Sequence, residues 1–460
     1  MKIGVLLVSY GSRAACIADS LVRSEEYEVD IYDADMQRNP FILSHSKDIT
    51  VGIEVDNILK FAEKHKSKLD FGIVGPEGPI IAGVRDRIED ELGIPMICPT
   101  KEFAIEGSKV AQRELLKTCA PEANPRYKVF DPKDYTDEAS VKKDLWPWLD
   151  ELDNKVAVKP DEPAVGKGVG VWGDHFNTRE ELYSLFKANF SEGVVLVEEK
   201  IDGEEFSLQC FSDGKSLIET PSVRDYKRAF DGDLGPNTGG MGCYKDNNKL
   251  LPFMSENDWK TGLKIARRLF KKLRGDGSNP GLRGIPLYMA YTCAKDGVKL
   301  FEVNSRPGDP EIMNLLPVLK GDFVETCYDM IDGNLKRMEF ENLATVITYA
   351  VPMTYGECRA QFTGSKHVDL TPSYNTANKY NDKLRIYPGS MELRDDGKTY
   401  MCDSRAVGYV GIGESLEEAR KISLEGITSL DGALWNRWDI GSKHHVQMSI
   451  DHMADIRRTE

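Results

Sequence analysis

The segment from Leu300 to Glu311, Leu-Phe-Glu-Val-Asn-Ser-Arg-Pro-Gly-Asp-Pro-Glu, constrains this chain more than any other. It follows an apolar run from Ile285 to Tyr291 and a turn at residues 295–297, so its first residues are predicted to form a strand. Side chains alternate along a strand, which places Glu302 and Asn304 on one face. Their carboxylate and amide oxygens are hard ligands, which suit Mg²⁺ bridging nucleotide phosphates.

A charged cluster directly after this strand favours a ligand site. For Glu302 and Asn304 taken alone, an exposed polar strand face is the simpler explanation. Arg306 continues their face and is placed to clamp an anion. Asp309 and Glu311 follow at once among two prolines and a glycine, and this density of charge shifts the interpretation toward a binding site.

Length and composition restrict the class of protein. A chain of 460 residues has room for about three domains, and 40% hydrophobic residues suffice for sizeable cores. The formal net charge of −15 argues against a nucleic-acid partner, which usually needs a basic face. The nine cysteines are scattered singly, which predicts a reducing compartment and a cytoplasmic location. Because no signal-peptide pattern or long apolar run is found, no membrane partner is expected.

The first part of the chain alternates between apolar strands and helices. Strands are predicted at Ile3 to Val8, Glu28 to Tyr32 and Phe71 to Val74, with helices at Ala14 to Val22 and Val55 to His65. Such alternation predicts an α/β domain with a parallel sheet and ligands at the carboxyl ends of its strands. No Gly-x-Gly-x-x-Gly follows the first strand, so a dinucleotide site is not favoured.

Later segments mix strands and helices in an α+β pattern. A capping box at Thr178 and Glu181 predicts a helix start. One helix is predicted from Glu311 to Ile331, and the last third of the chain is strand-rich. The polar tail after about residue 440, with His444 and His445, is expected to be a loosely held extension.

A glycine-rich loop is a candidate phosphate site. Lys159 ends a predicted strand, and Gly166, Lys167 and Gly168 follow a few residues later. Glycines let backbone N–H groups approach phosphate oxygens, and the lysine adds charge. The loop lacks the Walker-type spacing, so a glycine-rich hairpin without a ligand is an equally good interpretation.

The strand from Val195 to Glu199 leads through a turn to Glu205 and is a candidate adenosine site. The exit of such a strand can present backbone donors and acceptors to an adenine edge, with Ile201 against the ring. Glu205, seven residues after Glu198, would then reach the ribose hydroxyls. An ordinary charged hairpin is the alternative.

A long glycine-rich loop of mixed charge runs from Asp225 to Gly242. Such loops are usually exposed to solvent or ordered by a ligand. Asp225, Lys227 and Arg228 lie close to a run of glycines, which favours a ligand-ordered loop.

Together these segments resemble the ATP-grasp superfamily and, more narrowly, the phosphoribosylamine–glycine ligase family. The resemblance covers nearly the whole chain in the family's order. The matching segments are Gly75-Pro-Glu77, Pro99-Thr100, Glu106 to Lys109, Lys159 with residues 166–168, Glu198-Glu199 with Gly203 to Glu205, Asp225 to Arg228, Gly235 to Gly242, Glu302 to Arg306 with Gly308 to Glu311, Ser404 to Ala406 with Gly411 to Gly413, and Arg437 to Gly441.

This resemblance implies an organisation for the chain. It predicts a multidomain α/β and α+β protein: a Rossmann-like substrate domain at 1–104, an ATP-grasp domain at 105–335 with a small mobile subdomain at 126–192, a mixed β domain at 336–440 and an extension at 441–460. ATP would lie between two β-rich subdomains, and the protein would be a monomer or homodimer.

The resemblance also assigns the nucleotide and metal ligands. Glu302 and Asn304 would bind Mg²⁺ or Mn²⁺. The residues that would hold ATP are Lys109, Lys159, Gly166, Lys167, Gly168, Glu198, Lys200, Ile201 and Glu205.

The implied reaction joins glycine to 5-phosphoribosylamine through glycyl phosphate, with Arg306, Asp225 and Lys159 in catalytic roles. Positioning, charge neutralisation and exclusion of water would drive it. The substrate-binding residues would be Arg13, Asn39, Glu77, Asp225, Lys227, Asn237, Thr238, Gly239, Gly240, Met241, Arg306, Gly308 and Asp309.

Two loops depart from the family pattern on the side expected to hold phosphoribosylamine. Residues 11–16 read Gly-Ser-Arg-Ala-Ala-Cys where Gly-Gly-Arg-Glu-His-Ala is usual, and Phe41 replaces a glycine after Asn39-Pro40. In addition, Tyr226 and Pro307 stand where histidine and phenylalanine are usual. These changes leave open a ligase with another amine acceptor, or a catalytically silent nucleotide-binding protein. A biotin-dependent carboxylase component is disfavoured, since the glycine loop has no role there.

Overall fold

The computed structural model describes residues 1–163, 168–359 and 361–458, and its first layer is the predicted parallel sheet. Five parallel strands lie in the order β3-β2-β1-β4-β5. The elements are β1 (Lys2–Val8), α1 (Gly11–Val22), β2 (Glu28–Asp35), α2 (Pro40–His45), β3 (Ser46–Val51), α3 (Val55–His65), β4 (Phe71–Val74), α4 (Glu77–Ile81), α5 (Val84–Leu92) and β5 (Met96–Ile97). Sequence reasoning missed β3, because this edge strand is only half-buried and lacks an apolar pattern.

The next layer is a small unit with its own core, which includes Phe130, Leu145 and Phe186. Its four strands lie in the antiparallel order β6-β9-β7-β8. Helix α6 (Lys109–Cys119) precedes this unit, whose own elements are β6 (Tyr127–Phe130), α7 (Glu138–Glu151), β7 (Val156–Pro160), β8 (Gly170–Val171), α8 (Arg179–Glu192) and β9 (Val195–Glu199). The capping box predicted at Thr178 and Glu181 is confirmed at the start of α8.

A second antiparallel sheet, in the order β11-β10-β16-β17, contains the strand with Glu302 and Asn304. Along this part of the chain the elements are β10 (Glu204–Asp213), β11 (Leu217–Glu219), β12 (Arg224–Asp225), β13 (Arg228–Phe230), β14 (Leu234–Asn237), β15 (Gly242–Lys245), α9 (Glu256–Arg274), β16 (Arg283–Ala294) and β17 (Gly297–Asn304). Of these, β12 to β15 lie outside the four-stranded sheet. In β17, Glu302 pairs with Ala290 and Asn304 with Tyr288. The predicted strand is therefore confirmed, and it presents both side chains on one face.

The prediction of a single helix from Glu311 to Ile331 is wrong. Two short 3₁₀ helices cover Glu311–Asn314 and Leu316–Val318, followed by β18 (Leu319–Lys320), α10 (Phe323–Ile331) and β19 (Glu339–Phe340). Pro317 lacks a backbone N–H and interrupts the helical pattern. The true helix begins where the Asp322 side chain accepts a hydrogen bond from the Val324 N–H at 2.7 Å.

The C-terminal sheet also contains strands from the middle of the chain. Its order is β12-β15-β20-β25-β22, with β27 paired to β20. The elements are β20 (Ala344–Pro352), β21 (Val368–Asp369), α11 (Thr371–Tyr380), β22 (Leu384–Pro388), β23 (Met391–Leu393), β24 (Thr399–Met401), β25 (Val407–Gly413), α12 (Leu416–Thr428), β26 (Asp431–Gly432), β27 (Leu434–Trp435) and α13 (Lys443–Arg458). The loop between β12 and β15 therefore projects from a sheet built largely by residues more than a hundred positions later.

The expectation of a loosely held tail is wrong. Residues 443–458 form α13, which buries His445, Ser449 and Met453 and packs against β10 and β16. Along the described ranges, none of the helices combines the length and apolar character needed to cross a membrane.

Candidate active site

A buried charge cluster links the small unit to the second sheet. Lys159, at the end of β7, lies 2.7 Å from Glu198 of β9, and Arg113 of α6 approaches the same carboxylate at 2.5 Å. Burial raises the pKa of Glu198, but Arg113 and Lys159 outweigh burial and lower this pKa to about 2. Arg113 also donates to the Phe301 carbonyl of β17, so it ties the two sheets together.

Lys159 and Lys109 form a cationic end of this region. The Lys109 ammonium is largely buried and donates to the Glu162 carbonyl at 3.0 Å. Burial lowers the pKa of Lys109, and the nearby Glu302 opposes that shift. Two neighbouring ammonium groups, one from α6 and one from β7, can neutralise the phosphates of a nucleotide.

Glu302 and Asn304 have the donor chemistry of a divalent-cation site. In the described part of the chain, Glu302 makes no hydrogen bond or ion pair, and the Asn304 carbonyl oxygen is 3.4 Å from Arg306 Nη2. No group of three or more acidic, histidine or cysteine residues that could hold a metal is found in the described ranges. Two hard oxygen ligands without a complete protein cage fit Mg²⁺ that takes its other ligands from phosphates and water.

The residues predicted to hold adenosine lie on the connection between the two sheets. Lys200 donates to the Trp172 carbonyl at 2.8 Å, and Ile201 is half-buried. Glu205 is exposed and lies 3.7 Å from Lys227, which connects it to the Asp225–Gly242 loop. Of the predicted phosphate loop, Gly166 and Lys167 lie outside the described residues. Gly168 lies inside them, with a left-handed φ of +75°.

Arg306 is the centre of a second cluster. Its guanidinium lies 3.4 Å from Glu77 of the first domain and 3.3 Å from Glu106. Glu106 also accepts a hydrogen bond from the Ser305 N–H at 2.9 Å. Burial raises the pKa of Glu106 to about 7 against the opposing effect of Arg306. Burial also raises the pKa of Glu77, but Arg306 and Arg13 outweigh burial, so this pKa is lowered.

Asp225 and Glu311 form an acidic pocket beside that cluster. Among the described residues, one carboxylate oxygen of each, Asp225 Oδ1 and Glu311 Oε2, is buried without a hydrogen-bond partner. Burial and the neighbouring Glu311 raise the pKa of Asp225 well above its usual range. Gly240 packs against the pocket, where an added Cβ would lie 2.8 Å from Asp225 Oδ1. Unpartnered buried carboxylate oxygens favour a cationic or N–H-bearing ligand.

Sequence reasoning missed Arg405 as a member of the site. Arg405 lies 3.0 Å from Asp309 and donates to the Gly239 carbonyl at 2.7 Å, so it joins the C-terminal sheet to both predicted substrate segments. In the sequence it stands out only as part of the family-matching segment Ser404 to Ala406. About a hundred residues separate it from Asp309 in the chain, and no local pattern signals such a contact.

The loop at residues 237–241 is held in shape by hydrogen bonds within it and to the Lys227 backbone. Thr238 Oγ1 donates to the Lys227 carbonyl at 2.9 Å and accepts from the Gly240 N–H at 3.1 Å. Met241 is fully buried, whereas the Asn237 side chain is exposed. The loop therefore has a defined shape while part of its backbone faces the acidic pocket.

The first domain contributes two of its three predicted substrate residues to this region. Glu77 meets Arg306, and Arg13 donates to the Pro307 carbonyl at 3.1 Å. Asn39 lies elsewhere: it is fully buried, caps α2 and donates to the Pro388 carbonyl at 2.9 Å. Its side chain thus ties the altered loop to the C-terminal domain, and its binding role stays a prediction. Gly308 is held by the Gln209 side chain, which accepts from its N–H at 2.9 Å.

Two antiparallel sheets, with Lys159 on one and Glu302 and Asn304 on the other, together with the N-terminal parallel sheet, define an ATP-grasp protein. Residues 3–106 match the N domain of phosphoribosylglycinamide synthetase, and residues 107–312 match its ATP-grasp (A) domain. The chain belongs to the phosphoribosylglycinamide synthetase family. The predicted family and fold class are therefore confirmed.

Relatives match over the full length. The chain is 36% identical over 458 residues to phosphoribosylamine–glycine ligase of Methanocella arvoryzae, covering 98% of this chain and 99% of that one. Identity to the ligase of the same name from Methanocaldococcus jannaschii is 37% over 466 residues, covering 99% and 100%. The crystal structure of phosphoribosylamine–glycine ligase from Thermotoga maritima has the same fold, with a TM-score of 0.71 at 22% identity over 95% of this chain and 100% of that one.

Proposed function

We propose that this chain is an ATP-dependent ligase that joins glycine to 5-phosphoribosylamine, giving glycinamide ribonucleotide, ADP and phosphate in purine biosynthesis. The observation that carries this proposal is identity of 36–37% to phosphoribosylamine–glycine ligases over essentially their whole length. The closeness of the two regions supports it: Glu302 interacts electrostatically with Lys109, and both Glu302 and Asp225 interact with Lys227. A carboxylate bound beside Asp225 could therefore meet the γ-phosphate of ATP before an amine attacks.

The proposed chemistry proceeds in two steps. The glycine carboxylate attacks the γ-phosphorus and releases ADP, and the amine of phosphoribosylamine then displaces phosphate from the acyl carbon. Lys109 and Lys159 neutralise the phosphates in the first step. Arg306 orients the glycine carboxylate, and Asp225 accepts hydrogen bonds from the glycine ammonium. Burial of these groups keeps water from the acyl phosphate.

We assign the divalent cation to Glu302 and Asn304 and propose that it is Mg²⁺. Their hard oxygen donors fit that ion and leave positions for phosphate oxygens. When bound, it would neutralise charge on the β- and γ-phosphates.

The cellular setting follows from the same proposal. We infer a cytoplasmic enzyme that works on small molecules as a monomer or homodimer. Nine cysteines without a disulfide in the described residues support a reducing compartment.

Steady-state ADP release tests the proposal. Turnover is expected to require glycine and phosphoribosylamine together, the latter generated in place from ammonia and ribose 5-phosphate. Arg306→Gln should lower kcat/KM for glycine by about 100-fold or more. The matched control is Arg337→Gln, at a side chain that is 83% exposed, and it should behave as wild type. Glycine-dependent turnover that ignores phosphoribosylamine would contradict the proposed acceptor.

A further inference from the structure

Trp438 and Asp439, just before α13, form hydrogen bonds to the tip of the β13–β14 hairpin. Asp231 accepts a hydrogen bond from the Trp438 N–H at 2.8 Å, and the Gly232 N–H donates to Asp439 at 2.8 Å. Both bonds hold the turn of the hairpin from one side. The predicted substrate residues lie at its other end, since β13 follows Lys227 and β14 ends at Asn237.

Two buried side chains converge on Asp233, the last residue of this turn. Arg437 Nη1 donates to Asp233 Oδ1 at 2.9 Å, and His445 Nε2 lies 2.9 Å from Asp233 Oδ2. Arg437 is 1% exposed and His445 5% exposed. Burial raises the pKa of Asp233, but His445 and Arg437 outweigh burial and lower it. A charged hydrogen bond with buried partners holds its geometry far better than an exposed pair.

His445 also reaches the base of the same hairpin. Its Nδ1 lies 3.4 Å from the Tyr226 hydroxyl, which accepts a hydrogen bond from the Gly441 N–H at 3.2 Å. A neutral imidazole protonated on Nε2 satisfies both contacts, donating to Asp233 and accepting from Tyr226. The backbone of Tyr226 joins the two ends of this loop. Its N–H donates to the Gly242 carbonyl at 3.0 Å, and its carbonyl accepts from the Met241 N–H at 2.8 Å.

We propose that His445, together with Arg437, is a positioning residue for the amino-acid substrate of this enzyme. His445 joins the tip of the hairpin at Asp233 to its base at Tyr226, and so fixes the 226–242 segment against the acidic pocket. No hydrogen bond or ion pair joins His445 to those residues assigned to ATP that the structure describes. This inference rests on the proposed function, because it assumes that the segment receives glycine.

Substitutions at two adjacent histidines test the proposal. His445→Leu removes both contacts, and KM for glycine is expected to rise about ten-fold or more while KM for ATP stays within about two-fold. His445→Gln retains a donor toward Asp233 and should recover most of the affinity. His444→Leu is the matched control, since His444 is exposed on the same helix, and it should match wild type. Equal losses for glycine and ATP, or an unchanged glycine KM, would overturn the proposal.

A second variant changes the other partner of the hydrogen bond between His445 and Asp233. Asp233→Asn alters a half-exposed turn residue outside the C-terminal helix. It should raise KM for glycine as His445→Leu does, and the double variant should show no further rise. Additive effects would mean that the two residues act independently, which contradicts the proposal.

Hydrogen exchange separates this inference from the proposed function. Backbone amides of residues 226–242 should exchange faster in His445→Leu than in wild type or His444→Leu, whether or not glycine is the substrate. Absence of glycine turnover in the wild type would defeat the proposed function alone. Unchanged exchange in the 226–242 segment would defeat the positioning role.

Discussion

The two ends of the candidate active site balance their charges in opposite ways. At the nucleotide end, Glu198 is surrounded by Arg113 and Lys159, and its pKa falls to about 2 despite complete burial. At the amino-acid end, Asp225 and Glu311 crowd together, and burial with this crowding raises the pKa of Asp225. Glu198 is paired with two cations, whereas in the described part of the chain Asp225 Oδ1 is buried without a hydrogen-bond partner.

This difference separates structural charges from charges kept for a ligand. A buried carboxylate with two cations stabilises the fold around it, and removal of its charge leaves those cations uncompensated. A buried carboxylate with an unpartnered oxygen costs stability in the free protein. Such a cost is expected where a substrate ammonium completes the site.

The largest expected effect is at the nucleotide end. Glu198→Gln leaves Arg113 buried without its counter-charge, so the free energy of unfolding should fall by about 3–5 kcal/mol. Chemical denaturation would measure this change. Glu114→Gln is the control, because Glu114 is 55% exposed and should shift stability by less than about 0.5 kcal/mol. A stability like that of wild type would remove the distinction between the two ends.

Replacing a carboxylate by an amide at the amino-acid end should raise the free energy of unfolding instead of lowering it. Asp225→Asn removes a charge that burial disfavours, so the free energy of unfolding should rise at pH 8. The kcat/KM for glycine should nevertheless fall by about 30-fold or more, because the substrate ammonium loses its partner. Asp395→Asn, at a side chain that is 93% exposed, should change neither quantity. A destabilised Asp225→Asn protein would show that this carboxylate is structural.

The smallest expected effect is a difference in pH dependence. The pKa of Glu106 is raised from 4.5 to about 7, so its contribution to stability should decline as pH rises from about 4.5 to 7. The pKa of Glu198 is lowered from 4.5 to about 2, so its contribution should instead grow as pH rises through 2 to 4.5. Each slope is limited to about 1.4 kcal/mol per pH unit.

Denaturation of Glu106→Gln across this range checks the first slope. Relative to wild type, the variant should gain stability between about pH 4.5 and 7 and then stay level. A constant difference between the two proteins would mean that Glu106 keeps its ordinary pKa beside Arg306.

The residues proposed for the nucleotide end could be grouped from the sequence more completely than those proposed for the amino-acid end. Glu302 and Asn304 lie two residues apart, and strand alternation alone places them on one face. Arg405 and His445 reach the substrate loop from more than 150 residues away in the chain. Local patterns carry no trace of such contacts, which depend on β15 pairing with β20 and on the packing of α13.

Two failures of sequence reasoning have local physical causes. The helix predicted from Glu311 to Ile331 ignored Pro317, which cannot donate within a helix. Polarity predicts a loose tail, but a helix needs only one apolar stripe to pack, and α13 packs Val446, Ile450 and Met453 against the core.

Transfer of ¹⁸O from labelled glycine tests the central claim most directly. If the carboxylate attacks ATP at the junction of the two ends, one ¹⁸O atom from [¹⁸O₂]glycine should appear in the released phosphate. Mass spectrometry should find glycinamide ribonucleotide that retains the other. Phosphate free of ¹⁸O, with ADP still formed, would contradict a glycyl phosphate intermediate and with it the roles given to Arg306 and Asp225.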